Sequence, residues 1–128
     1  MISKILHIGF KEFIGSFIML DPKDKIWLIS LIHNSKNLEY YNIFNNENII
    51  VGIGSRSREQ NKNEFSFLIM PAFRRSGYGK SFIEFIKNNY PNSCFVVSKF
   101  NTISLNMFRR SLNGQGQNDY CPSTYIFS

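Results

Sequence analysis

The chain has 128 residues, with 15 Lys and Arg against nine Asp and Glu, a net charge of +6, and 43% apolar residues that include 13 Phe. That apolar content excludes a disordered chain, and the length suits one domain, 1–128, around one core. Apolar runs such as Phe17 to Leu20 are far too short to span a membrane, and Lys11 and Glu12 interrupt the stretch a secretory signal would need, so the expected compartment is the cytoplasm.

In chain order, Ile2 to Ile8 predicts a strand. Lys11 to Leu20 and Lys25 to Asn34 read as two helical pieces, broken at Asp21-Pro22 because a proline restricts the residue before it. Leu38 to Phe44 and Ile49 to Ile53 predict a hairpin around the polar turn Asn45-Asn46-Glu47-Asn48. The polar stretch Ser55 to Asn63 reads as a loop or ragged strand end. Phe65 to Met70 then predicts a strand buried on both faces. Beyond the connection Pro71 to Arg75, Gly77 to Tyr90 predicts an amphipathic helix with Phe82, Ile83, Ile86 and Tyr90 on one side. Cys94 to Phe100 is a further strand. Thr102 to Leu112 is a further helix, with Ile103, Met107 and Phe108 inward. Gly114 and Gly116 break the chain, and Tyr120 to Phe127 predicts a last strand with Pro122 near its start.

The two cysteines, Cys94 and Cys121, make no disulfide framework, and no Cys/His cluster suggests a metal; His7 and His33 lack a partner at ligand spacing. A charge of +6 suits an acidic protein, a nucleic acid or a polyanionic cofactor without choosing among them.

The segment Phe65 to Ile86 carries the chemistry. A buried strand runs into a basic loop with two glycines and then into a helix. First-turn amides have no partner inside a helix, and the helix dipole favours an anion beside them. Gly77 and Gly79 bare the backbone there, and Arg74, Arg75 and Lys80 add charge, so a pyrophosphate is the natural ligand. Two other phosphate motifs fail. Gly79-Lys80-Ser81 matches the end of a Walker A loop, but Arg74 stands at its first glycine; Gly77-Tyr78-Gly79 lacks the last glycine of a dinucleotide fingerprint, where Phe82 stands.

Ile69-Met70-Pro71-Ala72-Phe73-Arg74-Arg75-Ser76-Gly77-Tyr78-Gly79 resembles the acyl-CoA-binding motif of GNAT-type N-acetyltransferases, V-x-P-x-[YF]-[RQ]-x-x-G-x-[GA]. Asn101 to Phe108 is similar to the later motif N-x-x-[AS]-x-x-[LM]-[YF], and Asn48 to Gly52 resembles the strand that precedes the binding strand. The resemblance covers roughly 38–112 and weakens at Leu112-Asn113, where Gly-Phe is usual.

The resemblance implies an α/β fold, with a central mixed sheet flanked by helices and a binding strand that splays from its neighbour. It implies acetyl-CoA as cosubstrate, held by the strand backbone at Leu68, Ile69 and Met70. The pyrophosphate would rest on the loop Arg74, Arg75, Ser76, Gly77, Tyr78, Gly79, Lys80 and Ser81. Asn101 and Phe108 would line the far side of the pantetheine arm. An amine on a protein or small molecule would be the acceptor, and a strand N–H would polarise the thioester carbonyl.

Two departures stand out. The family's frequent general acid is a Tyr where this chain has Phe108, which has no proton to give; Tyr120 and Tyr125 are the substitutes the tail offers. For the base, Glu64 at the start of the binding strand is the best carboxylate, ahead of Glu59 and Glu84. The alternative is a catalytically reduced module of the same fold that binds an acidic protein or nucleic acid. Arg56, Arg58 and Lys62 would give such a chain, or an acidic acceptor, a basic rim.

Overall fold

The computed structural model describes residues 2–18, 20–26, 29, 38–59, 62–98, 101–112, 115–117 and 124–127. Its elements are β1 (Ile2–Ile8), α1 (Phe10–Phe17), β2 (Leu38–Asn45), β3 (Ile50–Glu59), β4 (Lys62–Ile69), a 3-10 turn (Pro71–Phe73), α2 (Tyr78–Asn89), β5 (Ser93–Ser98), α3 (Thr102–Ser111), β6 (Gln115–Gln117) and β7 (Thr124–Phe127). Residues 22–26 are helical, with Pro22 in the first turn, where its missing N–H costs nothing. The predicted break at Asp21-Pro22 is therefore present. Most of the second helical piece, with His33, and Tyr120 to Pro122 of the last strand lie outside the described residues.

The strands form one seven-stranded sheet in the order β1-β2-β3-β4-β5-β7-β6. Every neighbouring pair is antiparallel except β4 and β5, which are parallel because α2 carries the chain back between them. Side-chain alternation splits the core by face. Tyr41, Ile43, Phe65, Phe95, Val97 and Phe127 pack against Phe82, Ile83 and Ile86 of α2 and Leu105 and Phe108 of α3. On the other face Ile53, Leu68 and Val96 meet Phe13 of α1 and Leu20.

Three differences from the sequence reading have physical causes. Ser55 to Asn63 is not a loop: β3 runs to Glu59 and β4 begins at Lys62, with pairs from Gly52↔Ile69 to Glu59↔Lys62. Its polar residues mislead because Arg56 points into the structure. That side chain is only 9% exposed. Its guanidinium lies over the rings of Phe65 and Tyr90 and donates to Asn63 Oδ1 from Nε (3.2 Å) and Nη2 (2.8 Å). Arg58 pairs with Glu39 at 3.6 Å on the surface, and Lys62 is exposed, so of the three rim cations only Arg56 is drawn inside. In α3, Leu105 joins Phe108 in the core while Met107 is only partly buried; the Ile103 side chain lies outside the description. Finally, β6 begins right after Gly114, where the glycines suggest only a break.

One contact reaches across a whole strand. Tyr41 of β2 passes over Gly54 of β3 and donates from Oη to the Ser66 carbonyl of β4 at 2.8 Å. Burial raises the Tyr41 pKa well above its ordinary value, so it remains a donor. A Cβ at Gly54 would collide with both Tyr41 Oη and the Ser66 oxygen. We therefore expect Gly54→Ala to destabilise by roughly 3 kcal/mol and Tyr41→Phe by about 1 kcal/mol, the ranges for overpacking and for one buried hydrogen bond. Urea unfolding checks both; a Gly54→Ala midpoint equal to wild type would refute this crossing.

Candidate functional site

The parallel pairing of β4 and β5 comprises Asn63↔Ser93, Glu64↔Cys94 and Phe65↔Phe95, and then stops. Both strands continue: β4 stays on β3 up to Ile69, and β5 stays on β7 through Ser98. The two strands therefore part after Phe65, which is the splay the resemblance implies. The closed end is pinned. Asn63 donates from N to Asn92 O (3.0 Å) and from Nδ2 to Pro91 O (2.7 Å), while its Oδ1 accepts the buried Arg56.

Hydrogen-bond alternation decides which backbone groups the splay exposes. Met70 N–H donates to Val51 O at 2.9 Å, so Met70, Leu68 and Ser66 direct their backbone groups to β3. Phe67 and Ile69 then face the gap. Of the implied set Leu68, Ile69 and Met70, only Ile69 turns its backbone groups to the gap, together with Phe67, while the Leu68 and Met70 amides are turned to β3. Nothing in the residue types betrays this parity. The side chains of Leu68 and Met70 lie on the α1 face of the sheet instead.

The loop narrows in the same way. Arg74 N–H donates to Pro71 O at 3.3 Å, and Ser81 N–H to Gly77 O at 3.1 Å. Ser81 Oγ accepts the Ile2 N–H at 3.1 Å, which fastens α2 to β1. Neither residue has an amide to offer a phosphate. Arg75 (φ 65°) and Gly77 (φ 82°) both take left-handed conformations, turning the chain so that the amides from Ser76 to Lys80 gather at the start of α2. Gly79 is small for packing: a Cβ there would lie 3.1 Å from Met107 Sδ. Tyr78 Oη accepts from Asn45 Nδ2 at 3.2 Å, which ties this helix start to the β2–β3 turn.

Arg74 does not face a phosphate. Its Nε donates to Ile69 O (2.9 Å), Nη1 to Asp21 (3.0 Å) and Nη2 to Asp24 (2.7 Å). Partial burial opposes its charge, but the hydrogen bonds to Asp24 and Asp21 outweigh that and raise its pKa. Arg74 thus clamps the chain after α1 to the open end of β4.

Asn101 caps α3, its Oδ1 accepting Ser104 N–H at 3.1 Å. Phe108 is buried, stacked on Phe127 with centroids 5.4 Å apart and 6.0 Å from the ring of Phe67. It backs the gap as an apolar wall. Tyr125 of β7 stands opposite Val97, half-buried on that same face, whereas Tyr120 lies outside the described residues. Glu64 sits on the last stretch of β4 before the splay, opposite Cys94. Burial first, and then the Glu64 charge, push the Cys94 thiol up to about 11. Glu84 is exposed on α2, and the Glu59 side chain lies outside the description. Between α2 and α3 runs a groove of ≈ 600 Å³ carrying Lys80, Lys87 and Arg110.

The fold as a whole matches one group of solved structures. Spermidine N-acetyltransferase from Vibrio cholerae, solved with CoA and spermine, superposes with a TM-score of 0.57 at 9% identity, covering 97% of this chain and 91% of that one. A GNAT-family acetyltransferase from Staphylococcus aureus Mu50 gives 0.53 at 15% identity, covering 96% of each chain. A putative GNAT acetyltransferase from Bacteroides thetaiotaomicron gives 0.59 at 15% identity, covering 98% and 85%. The chain has the GNAT acetyltransferase fold. No protein-family model and no curated protein matches its sequence.

Within this GNAT fold the Arg74 clamp joins the loop to the layer on the opposite face of the sheet. Arg74→Ala should raise amide exchange over 20–26 several-fold while global stability falls by less than about 1 kcal/mol, since the pairs are partly solvated. Unchanged exchange in that segment would show that the clamp holds nothing.

Proposed function

We propose that the chain is an acetyl-CoA-dependent N-acetyltransferase acting on an amine. The observation that carries this reading is the one-sided pairing of β4 beyond Phe65, directly beside the free amides of α2. A pantetheine arm presents amide groups that suit the Phe67 and Ile69 edge. A pyrophosphate suits the amides from Ser76 to Lys80, with Arg75 and Lys80 nearby. The basic groove between α2 and α3 begins at Lys80 and suits the nucleotide end. When bound, acetyl-CoA supplies an activated acyl thioester.

The chain's own residues then do the following. The Ile69 or Phe67 N–H donates toward the thioester oxygen as it gains negative charge. Glu64 removes a proton from the acceptor amine, directly or through water. Phe108 gives no proton, so the thiolate leaves unassisted or with Tyr125 as donor. Asp21 and Asp24 are held by Arg74, and Glu39 lies within 3.9 Å of His7, Arg56 and Arg58. Arg74 offsets one of the two aspartate charges, so a net negative charge remains beside the open end of β4. The alternative, a binding module without catalysis, draws support from the sealed aromatic site of Phe108; acetylation of any amine removes it.

Calorimetric titration tests the cofactor site. Acetyl-CoA and CoA should bind at micromolar concentration and ATP should not. Gly77→Val, which forces a β-branched residue into a left-handed conformation, should weaken acetyl-CoA binding at least tenfold, and equal binding would place the site elsewhere. Glu64→Gln should lower kcat by about 100-fold or more without changing acetyl-CoA affinity, the usual scale for losing a general base. A wild-type kcat in the Glu64→Gln enzyme would assign the proton to another group.

A further inference from the structure

At the sheet end away from the gap, where β1 finishes and β2 begins, the surface holds an open recess of ≈ 580 Å³. Its apolar part is Ile8, Phe10, Leu38 and Tyr40, and its charged part is His7, Glu39 and Arg58. Strand alternation sorts the two. Ile8 registers with Tyr40, and both pack toward the α1 face. Glu39 registers with Arg56, whose guanidinium lies over Phe65 on the α2 face, and His7 registers with Tyr41 of that same face. The recess touches β4 through neither the gap nor the phosphate loop.

The charges there do not balance. Glu39 is one carboxylate between two guanidiniums, with Arg58 Nη2 at 3.6 Å and Arg56 Nη1 at 3.9 Å; His7 Nδ1 lies 3.6 Å from it as well. Arg56 is enclosed and committed to Asn63. Arg58 is 59% exposed, and its distance to Glu39 is longer than a hydrogen bond. One positive charge is left over, on a planar fork open to solvent. Beside it stands an uncovered ring. Phe10, the first residue of α1, is 53% exposed, and its ring lies 5.5 Å from that of Tyr40 at 58°.

An arginine fork matches a carboxylate through two parallel hydrogen bonds, and aromatic rings favour a third ring at their edge or offset face. A surplus of one charge suits a monoanion, since a dianion would bring a second charge close to Glu39. We propose that this recess binds a small arylalkyl carboxylate, with its carboxylate on Arg58 and its ring against Phe10 and Tyr40. Glu39 then keeps Arg56 and His7 while the ligand takes Arg58, which gives two carboxylates for two guanidiniums. The volume falls in the range of small-molecule sites. Such a site lies apart from the transferase gap and does not depend on it.

The probe is hydrocinnamate, titrated into the isotope-labelled full chain without acetyl-CoA and followed by amide chemical shifts. Amides at 7–10, 38–40 and 58 should move together, with half-saturation in the low millimolar range, the scale for a ligand of about ten heavy atoms. Hydrocinnamyl alcohol keeps the ring without the charge, and propionate keeps the charge without the ring; each should bind roughly tenfold more weakly. Arg58→Gln and Phe10→Ala both alter exposed side chains, and each should weaken hydrocinnamate binding by roughly tenfold. Equal binding of the acid and the alcohol overturns the proposal. So does an unchanged affinity in Arg58→Gln, or shifts confined to the α2–α3 groove. Failure of the transferase reading looks different: acetyl-CoA then does not bind in calorimetry, while the hydrocinnamate shifts remain.

Discussion

Beyond Phe65, β4 is bonded on one side only, and the candidate site follows from that constraint. A strand inside a sheet ordinarily satisfies its backbone from both neighbours, and unpaired edge groups in an interior are costly. Here the cost is confined to Phe67 and Ile69. Ile69 C=O is already satisfied by Arg74. What remains is two N–H groups and one carbonyl in a row, which is what an amide-bearing arm can pair with.

Holding such a gap open takes fixed points at both ends. At the closed end Asn63 joins β3, β4 and the turn before β5, with Arg56 buried between two rings to back it. Just above, Tyr41 reaches over Gly54 to grip Ser66 from the side of β2. At the open end Arg74 ties Ile69 to Asp21 and Asp24. Between these points Phe67 rests on Phe82 of α2, with centroids 4.5 Å apart, rather than reaching toward β5. Strand β4 is therefore positioned by β3 and α2 and is independent of β5 over its upper half.

How much of this is legible in the sequence depends on the physics involved. The turn at Asn45, the break at Pro22, the helix from Tyr78 and the anion-binding start of that helix all follow from local chemistry, and the motif from Ile69 to Gly79 points to the fold. Pairing parity does not. Whether Leu68 or Phe67 presents its amide to the gap depends on how β4 registers with β3, a long-range choice that leaves no mark on residue type. Ion pairing is equally hidden: Arg56, Arg58 and Arg74 read as a basic surface until the fold brings Asn63, Glu39, Asp21 and Asp24 to them. Phe108 is the reverse case. The motif flags it as a departure, and the aromatic cluster around it shows why a phenol is absent there, since its ring is enclosed by Phe67, Phe95 and Phe127.

The net charge of +6 takes on a different meaning once the pairs are assigned. Arg74 offsets one of the two carboxylates nearest the open end, Asp21 and Asp24, and Glu39 at the start of β2 is shared by Arg56, Arg58 and His7. Among the described residues, Lys80, Lys87 and Arg110 line the groove between α2 and α3, while Lys11 lies on α1 and Lys23 and Lys25 in the helical stretch after it. Cations therefore lie on elements on both sides of the sheet, and net charge alone singles out neither face. The basic groove between α2 and α3 suits a polyanion on electrostatic grounds, so cofactor binding should weaken as salt rises.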